Sequence, residues 1–208
     1  MRVPARLQAI GRAVALASVA LVCAQGAESR VPLRTALPRP AFSGTPAFIV
    51  SPNLERPTGK LREPFLVPAP AANLAAGRAV TGTQPKPFLG AYALVTDGGK
   101  EADGDSFVEL GPGVQWVQID LGRPARIYAI VLWHYHAEAR VYRDVVIQCA
   151  NDSDMAGGLA TVFNNDHDNS AGLGAGADKE YIETFEGRLI PVPGQRARYV
   201  RLHSRGNT

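Results

Sequence analysis

An acidic, glycine-rich segment between residues 97 and 105 has the composition of a calcium-binding loop. Its carboxylates belong to Asp97, Glu101, Asp103 and Asp105, and Gly98, Gly99 and Gly104 lie between them. Ca²⁺ prefers hard oxygen ligands and tolerates the irregular coordination that a turn provides. The segment therefore predicts a structural Ca²⁺ site; the alternative is an acidic turn that is only solvated.

A second polar cluster, Asn164–Ser170, has the sequence Asn-Asn-Asp-His-Asp-Asn-Ser. Asp166, Asp168 and Ser170 alternate as in the first half of an EF-hand loop, but Gly172 comes one place late and no Glu occupies position twelve. An EF-hand is therefore not favoured. The cluster predicts a loop that binds a polar ligand or is ordered by a cation, and an ordinary flexible loop is the alternative.

The segment 134–143 combines flat aromatic rings with side chains that hydrogen-bond to hydroxyl groups. Sugars bind through contacts of their C–H groups with aromatic faces and through hydrogen bonds from their hydroxyls to Arg, His, Asn and Asp. We predict a carbohydrate site formed by His136, Arg140, Tyr142, Asp166 and Asp168. Two alternatives remain open. His134 and His136 share one strand face and can reach a transition metal, although spacing identifies no third ligand; or the side chains only cover the protein surface.

Motifs for catalysis are not apparent in the sequence. Its Ser and Thr residues lack a nucleophile elbow, and the glycines of 172–176 neither follow a predicted strand nor precede a helix, as a phosphate-binding loop would require. Cys149 alternates with Val145 and Ile147, which predicts a buried structural thiol and not a nucleophile. We therefore predict that the chain is not an enzyme and that any catalysis would lie in a domain outside it.

Short β-strands must position these residues. No window has a sustained helical spacing of apolar residues, whereas short β-prone runs alternate with Gly, Pro, Asn and Asp. The predicted strands are 78–83, 106–110, 114–121, 126–135, 142–150, 160–163, 179–184, 189–192 and 198–203. Many short strands at this spacing predict an all-β fold, an antiparallel β-sandwich or jelly roll.

The charge distribution argues against nucleic acid as a partner. The whole chain has a net charge of +3, but residues 73–208 hold 13 Lys/Arg and 16 Asp/Glu, so their net charge is −3. The excess of basic residues therefore lies in the first 72 residues. A nucleic-acid-binding domain carries its Lys and Arg as a patch on the folded part.

The N-terminus has the three parts of a secretory signal peptide, predicted at 1–26. Arg2, Arg6 and Arg12 precede the apolar run Ala13–Cys23, and Gly26 is among the small residues that follow. This pattern predicts a secreted protein or one of the periplasm or cell envelope. Lipidation of Cys23 is the alternative, although Val22 before it is bulky where such a site requires a small residue.

Residues 27–72 are predicted to be a proline-rich linker, and residues 73–208 the folded domain. Nine prolines fall between Val31 and Ala72, and no strand or helix period is present there. Two apolar clusters, Phe48–Val50 and Phe65–Val67, are the segments of this linker that could dock on the domain as edge strands or as a strap.

The order of motifs from Asn73 onward resembles the coagulation factor V/VIII type C (discoidin) family, within the galactose-binding-domain-like superfamily. Ala93-Leu-Val-Thr-Asp-Gly98 is similar to a loop of that family, and Trp116-Val-Gln-Ile-Asp-Leu-Gly122 is similar to its most recognisable block. Arg198–Leu202 resembles its penultimate strand. The resemblance covers 73–208, with two departures: the family's closing strand is not present before Thr208, and Asn164–Asp178 is a long insertion.

The resemblance implies a non-catalytic, exported module that binds carbohydrate, with a structural Ca²⁺ in the first acidic loop. The implied ligands are the side chain of Asp97 and carbonyl or hydroxyl oxygens of Lys100, Asp103 and Ser106. A cell-surface adhesion domain that binds protein or lipid is the alternative, since one fold serves several functions. Membrane binding is the less favoured partner because the loops are mainly polar. A further domain C-terminal to this chain is a candidate partner of the module.

Overall fold

The computed structural model describes residues 29–42, 51–104 and 106–206. Its strands are β1 (Arg30–Pro32), β2 (Leu66–Pro68), β3 (Ala79–Gly82), β4 (Gln115–Leu132), β5 (Val141–Tyr142), β6 (Val146–Ala150), β7 (Ala160–Asn164), β8 (Tyr181–Ile182) and β9 (Arg188–Ser204). A 3-10 turn covers Tyr92–Val95. The prediction of an all-β fold with antiparallel sheets is confirmed. The predicted signal peptide at 1–26, the cluster Phe48–Val50 and Asp105 lie outside the described residues.

The longest pairing in the fold joins β4 to β9, from Gln115↔Ser204 to Leu132↔Arg188. From the sequence, four shorter strands are predicted in this ladder, because Gly and Pro interrupt the strand pattern. Both strands instead continue through register shifts, one of them between Asp120 and Ala125, where Gly122 has a φ of +82°. A bulge at glycine bends a strand without ending it. Ile119 and Ile190, from the two halves of the ladder, enter the same buried cluster.

The main sheet has five strands in the order β3-β4-β9-β6-β7, and β5 and β8 form a second, small sheet. Alternate side chains of the strands face the core, where Ile147 and Phe163 pack with Tyr181 of the small sheet. The prediction that Cys149 is a buried thiol on this face is confirmed: its side chain is fully buried, and burial raises its pKa to about 11. No described helix is long and apolar enough to cross a bilayer.

Part of the proline-rich segment contacts the sandwich. Strand β1 pairs with β2, and Val67 at the centre of β2 is only 2% exposed. Leu54 forms an isolated parallel bridge with Glu180, so residues 53–55 lie alongside the residue that precedes β8. We call residues 53–68 the N-terminal strap. Three-residue pairings are too short to produce a strand period, which is why the sequence analysis treats this segment as a linker.

Candidate functional site

Three of the residues predicted to bind carbohydrate lie beneath the surface. His136 is 3% exposed, and its Nε2 donates to the carbonyl oxygen of Lys100 at 2.8 Å. Tyr142 is buried, stacks on His134 at 4.1 Å between ring centroids, and donates from its hydroxyl to Tyr135. Asp166 is fully buried in its loop. His136 and Tyr142 therefore support the surface from below. Of the two other predicted residues, Arg140 reaches this surface, whereas the exposed Asp168 lies in loop 164–170.

The surface above them carries aromatic rings and a paired guanidinium. The guanidinium carbon of Arg140 lies 4.6 Å from the ring centroid of Tyr135, and its Nη2 donates to Glu138 at 3.0 Å. The ring of Phe107 meets Tyr135 edge to face, with centroids 5.4 Å apart. Loop 84–90 is joined to the segment that follows Phe107, because the backbone N–H of Phe88 donates to the carbonyl oxygen of Glu109 at 2.8 Å. We call this surface, formed by Phe88, Phe107, Tyr135, Glu138 and Arg140, the aromatic rim.

Phe88 and Phe107 are rim residues that lie outside the segment 134–143 and were not predicted from the sequence. The side chain of Phe88 is 79% exposed, and the neighbouring Leu89 is also exposed. Contiguous exposed apolar side chains mark interaction sites, whereas single exposed ones are ordinary. The signal in the sequence is local: Pro85-Lys86-Pro87 places Phe88 in a loop, where no strand face can bury it.

A buried polar network lies under the end of β4. Glu183, only 1% exposed, accepts hydrogen bonds from the backbone N–H of His134 at 3.0 Å and from that of Thr184 at 3.1 Å. The Nδ1 of His134 lies 3.2 Å from Glu183 and 3.3 Å from the Tyr181 hydroxyl. Burial, and then the charge of Glu183, raise the pKa of Tyr181 well above its ordinary value. The network fixes the direction in which β4 leaves the sheet, and His134 is engaged in it.

The loop predicted to bind calcium has its oxygen atoms in two groups. Asp97 is exposed and its Oδ1 accepts from the backbone N–H of Gly99 at 2.7 Å. Ser106 accepts from the backbone N–H of Asp103 and donates within the 101–103 turn. The Lys100 carbonyl is bonded to His136, and the Lys100 ammonium donates to Gly98 at 2.7 Å. These oxygen atoms are of the type that Ca²⁺ binds. The described contacts, however, do not bring Asp97 together with Asp103 or Ser106.

A triad of carboxylates lies elsewhere, formed by Asp144, Asp166 and Asp168. One oxygen from each lies within 4.8 Å of the others, so the triad can hold a metal ion. Asp166 accepts from the backbone N–H groups of Ser170 at 3.0 Å and Ala171 at 2.8 Å. Asp166 and Asp168 are predicted from the sequence as site residues, whereas Asp144 comes from the turn before β6 and belongs to no local motif.

The environments of two triad carboxyls shift their pKa values in opposite directions. Burial, followed by the charges of Asp166 and Asp168, raises the pKa of Asp144 above its ordinary value. Hydrogen bonds from Ser170 lower the pKa of Asp168. Asp144 also has a φ of +53°, a left-handed conformation that Asp and Asn tolerate better than other side chains. Of these two carboxyls, Asp144 is therefore the one whose negative charge is destabilised by its surroundings.

Comparison with known proteins finds similar solved structures, whereas no family model and no curated protein matches the chain. The chain is similar to a fucose-binding module from Streptococcus pneumoniae, with 15% identity over 65% of this chain and 88% of that chain, and a TM-score of 0.45. It is also similar to a Clostridium perfringens module in complex with GlcNAc-α-1,4-galactose, with 14% identity, 68% and 84% coverage, and a TM-score of 0.47. The lectin domain of lectinolysin, complexed with Lewis b antigen, has 14% identity, 65% and 86% coverage, and a TM-score of 0.41. Values of this size assign no ligand to the present chain.

Proposed function

We propose that this chain is a non-catalytic glycan-binding module, with the aromatic rim as its binding surface. The observation that carries the proposal is the Phe107–Tyr135–Arg140 stack together with the exposed Phe88, whose backbone is bonded to Glu109, two residues after Phe107. An exposed ring offers a flat face to the C–H groups of a sugar, and the charged pair of Arg140 and Glu138 offers donors and acceptors to its hydroxyls. His136 and Tyr142 contribute by holding the rim in place, and contact with the sugar is assigned to the rim residues.

The rim is pre-organised for binding. Arg140 is held by Tyr135 on one side and by Glu138 on the other, so its long side chain has already lost much of its rotamer freedom before a ligand arrives. Ordering such side chains on binding costs about 0.5–1.5 kcal/mol each. An exposed rim offers few hydrogen bonds that survive competition with water, so we expect a Kd on the order of 0.1–1 mM.

We propose Ca²⁺ as a structural cation of this module, bound by the triad of Asp144, Asp166 and Asp168. Support comes from the convergence of three carboxylates and from the raised pKa of Asp144, which a cation would reverse. The loop of Asp97, Lys100, Asp103 and Ser106 is the second candidate. Neither site touches the aromatic rim through a described side-chain contact. We therefore propose that the ion stabilises its loop and does not contact the sugar.

We also propose that the protein is exported and that its domain is larger than residues 73–208. The pattern of residues 1–26 supports export, and the contacts of the strap support a folded unit that includes residues 53–68. An appended catalytic domain, if one is joined to this module, would be targeted by it to a glycan.

One observation favours a second function, binding of a lipid surface as an adhesion domain. Phe88 and Leu89 are both exposed at a loop tip, and Lys86 lies two residues before them. Apolar side chains that enter a membrane interface beside a basic residue bind anionic lipids. The two functions place the same residue, Phe88, against different partners.

Isothermal calorimetry and a glycan array test the glycan function, with GlcNAc-α-1,4-galactose and Lewis b among the plant, algal and host glycans. Arg140→Ala and Phe88→Ala should each weaken binding at least about threefold without lowering the melting temperature. Arg123→Ala and Leu159→Ala are matched controls, since both side chains are exposed and neither belongs to the rim. Binding to phosphatidylserine vesicles that Phe88→Ala abolishes, with a blank array, would replace the glycan function by the lipid function.

A further inference from the structure

The N-terminal strap is attached to the segment 180–188 by backbone and side-chain bonds. The backbone N–H of Glu55 donates to Glu180 at 2.8 Å, and Glu180 donates in return to Asn53 at 3.2 Å. The carboxylate of Glu55 forms an ion pair with Arg188. These contacts join residues that are more than 120 positions apart, so the strap folds against the sandwich and does not extend freely from it.

Arg62 makes the most concentrated contact of the strap. Its backbone N–H lies 3.0 and 3.2 Å from the two carboxylate oxygens of Glu186. Its guanidinium donates to the carbonyl oxygens of Gly187 at 2.8 Å and of Glu186 at 3.2 Å. One strap residue therefore holds both the backbone and the side chain of a single turn, 184–187. Only a planar guanidinium offers two such donors at this spacing; a lysine ammonium does not.

The same turn holds Trp133, the residue that follows β4. The indole Nε1 donates to the carbonyl of Phe185 at 3.0 Å. The ring lies directly on Gly187, where an added Cβ would come within 2.6 Å of it. The ammonium of Lys100 also lies near Trp133, 5.4 Å from the centroid of its ring. Trp133 thus connects the turn held by the strap to the loop and strand end that carry Tyr135.

We infer that the strap, through Arg62, positions Trp133 and thereby the edge of the aromatic rim. Arg62 is a positioning residue that acts through turn 184–187 and does not contact the ligand. The effect on glycan binding rests on the proposed function, whereas the effect on Trp133 does not. Release of the strap would free the Phe185 carbonyl to move, and the indole would lose the fixed acceptor of its N–H.

The experiment uses Trp116→Phe protein, so that Trp133 is the remaining tryptophan. Arg62→Ala should shift Trp133 emission to longer wavelength, increase its quenching by acrylamide, and weaken binding of GlcNAc-α-1,4-galactose about three- to tenfold. Arg62→Lys should restore little of either signal, because it keeps the charge but loses the double donor. Lys60→Ala, an exposed strap cation, is the matched control and should change neither.

Unchanged emission and quenching in Arg62→Ala would overturn the inference, as would an equal change in Lys60→Ala. Failure of the proposed function has a different signature: the parent protein binds no glycan, while the emission shift in Arg62→Ala is retained. That result would support the positioning of Trp133 and remove its link to glycan. Circular dichroism of Arg62→Ala confirms that the comparison is made on folded protein.

Discussion

Asp144→Asn should have opposite effects on stability in the absence and presence of Ca²⁺. The change removes one of three carboxylates that lie within 4.8 Å of one another. Asn has nearly the same shape as Asp and tolerates the left-handed φ of +53° at this position, so the backbone should not change. The substitution therefore isolates charge.

Burial, and then repulsion by Asp166, disfavour the charge of Asp144, and the repulsion sets the scale of the effect. Two unit charges 4.8 Å apart repel by about 1 kcal/mol at the dielectric of water and by about 3.5 kcal/mol at an effective dielectric near 20. Asp144 is only partly buried, so the lower part of that range applies. In EDTA at pH 7 we expect Asp144→Asn to raise the free energy of unfolding by about 1 kcal/mol and the melting temperature by about 2–4 °C.

In Ca²⁺ the wild-type protein should have the higher melting temperature, which reverses the order expected in EDTA. A ligand at about 100 times its Kd stabilises the folded state by about 2.7 kcal/mol. The wild-type protein should gain a shift of this kind in millimolar Ca²⁺, and Asp144→Asn should lose most of it. Asp97→Asn makes the same chemical change in the other acidic loop and is the matched control.

The pH dependence in EDTA has a defined sign. Because the pKa of Asp144 is raised in the folded state, its protonated form stabilises the fold below the ordinary pKa of 3.8, and this contribution is lost as pH rises through the folded value. The advantage of Asp144→Asn should therefore disappear in acid, where wild-type Asp144 is neutral as well. Asp168 has a lowered pKa in the folded state, so it stabilises the fold above its ordinary pKa and this stabilisation is lost as the pH falls. The contribution is present in both proteins, so it cancels to first order in the difference between them.

Thermal denaturation monitored by circular dichroism compares wild type, Asp144→Asn and Asp97→Asn, each in EDTA and in Ca²⁺. A lower melting temperature of Asp144→Asn in EDTA would refute the repulsion argument. Loss of the Ca²⁺ shift in Asp97→Asn, with a full shift in Asp144→Asn, would move the ion to the 97–106 loop.

Three further predictions concern the fold. Limited proteolysis followed by mass spectrometry should leave a resistant fragment that includes the strap, because Val67 is buried and Arg62 is bonded to turn 184–187; trimming to Asn73 would contradict the docked strap. Gly187→Ala should destabilise the protein by at least about 1–2 kcal/mol in urea unfolding, since its φ of +68° is unfavourable for Ala and the new Cβ would meet Trp133; Gly172→Ala, with a φ of +75° but nothing within 4 Å, controls for the backbone term. The Cys149 peptide should remain unlabelled by iodoacetamide at pH 8 until denaturant is added, because burial raises the thiol pKa to about 11; rapid labelling of folded protein would refute this.

The sequence by itself determined the features that depend on neighbouring residues. Alternation with a period of two is local, so it identified the strands around Ala79, Val146 and Ala160 and the inward direction of Cys149. Glycine and proline positions identified the loops, and the residues of 166–168 identified a polar cluster. These patterns suffice for the all-β class because each strand carries its own signal.

Tertiary structure alone decided the features that depend on distant residues. The triad joins Asp144 to a loop more than 20 residues later, and Arg62 meets Glu186 across 124 positions. Burial of His136 and exposure of Phe88 depend on which loops cover them, a matter of packing that polarity along the chain does not encode. The bulge at Gly122 joins two predicted strands into one because β9 pairs with both halves. A three-residue strand such as β2 forms only where another segment of the chain lies beside it and pairs with it.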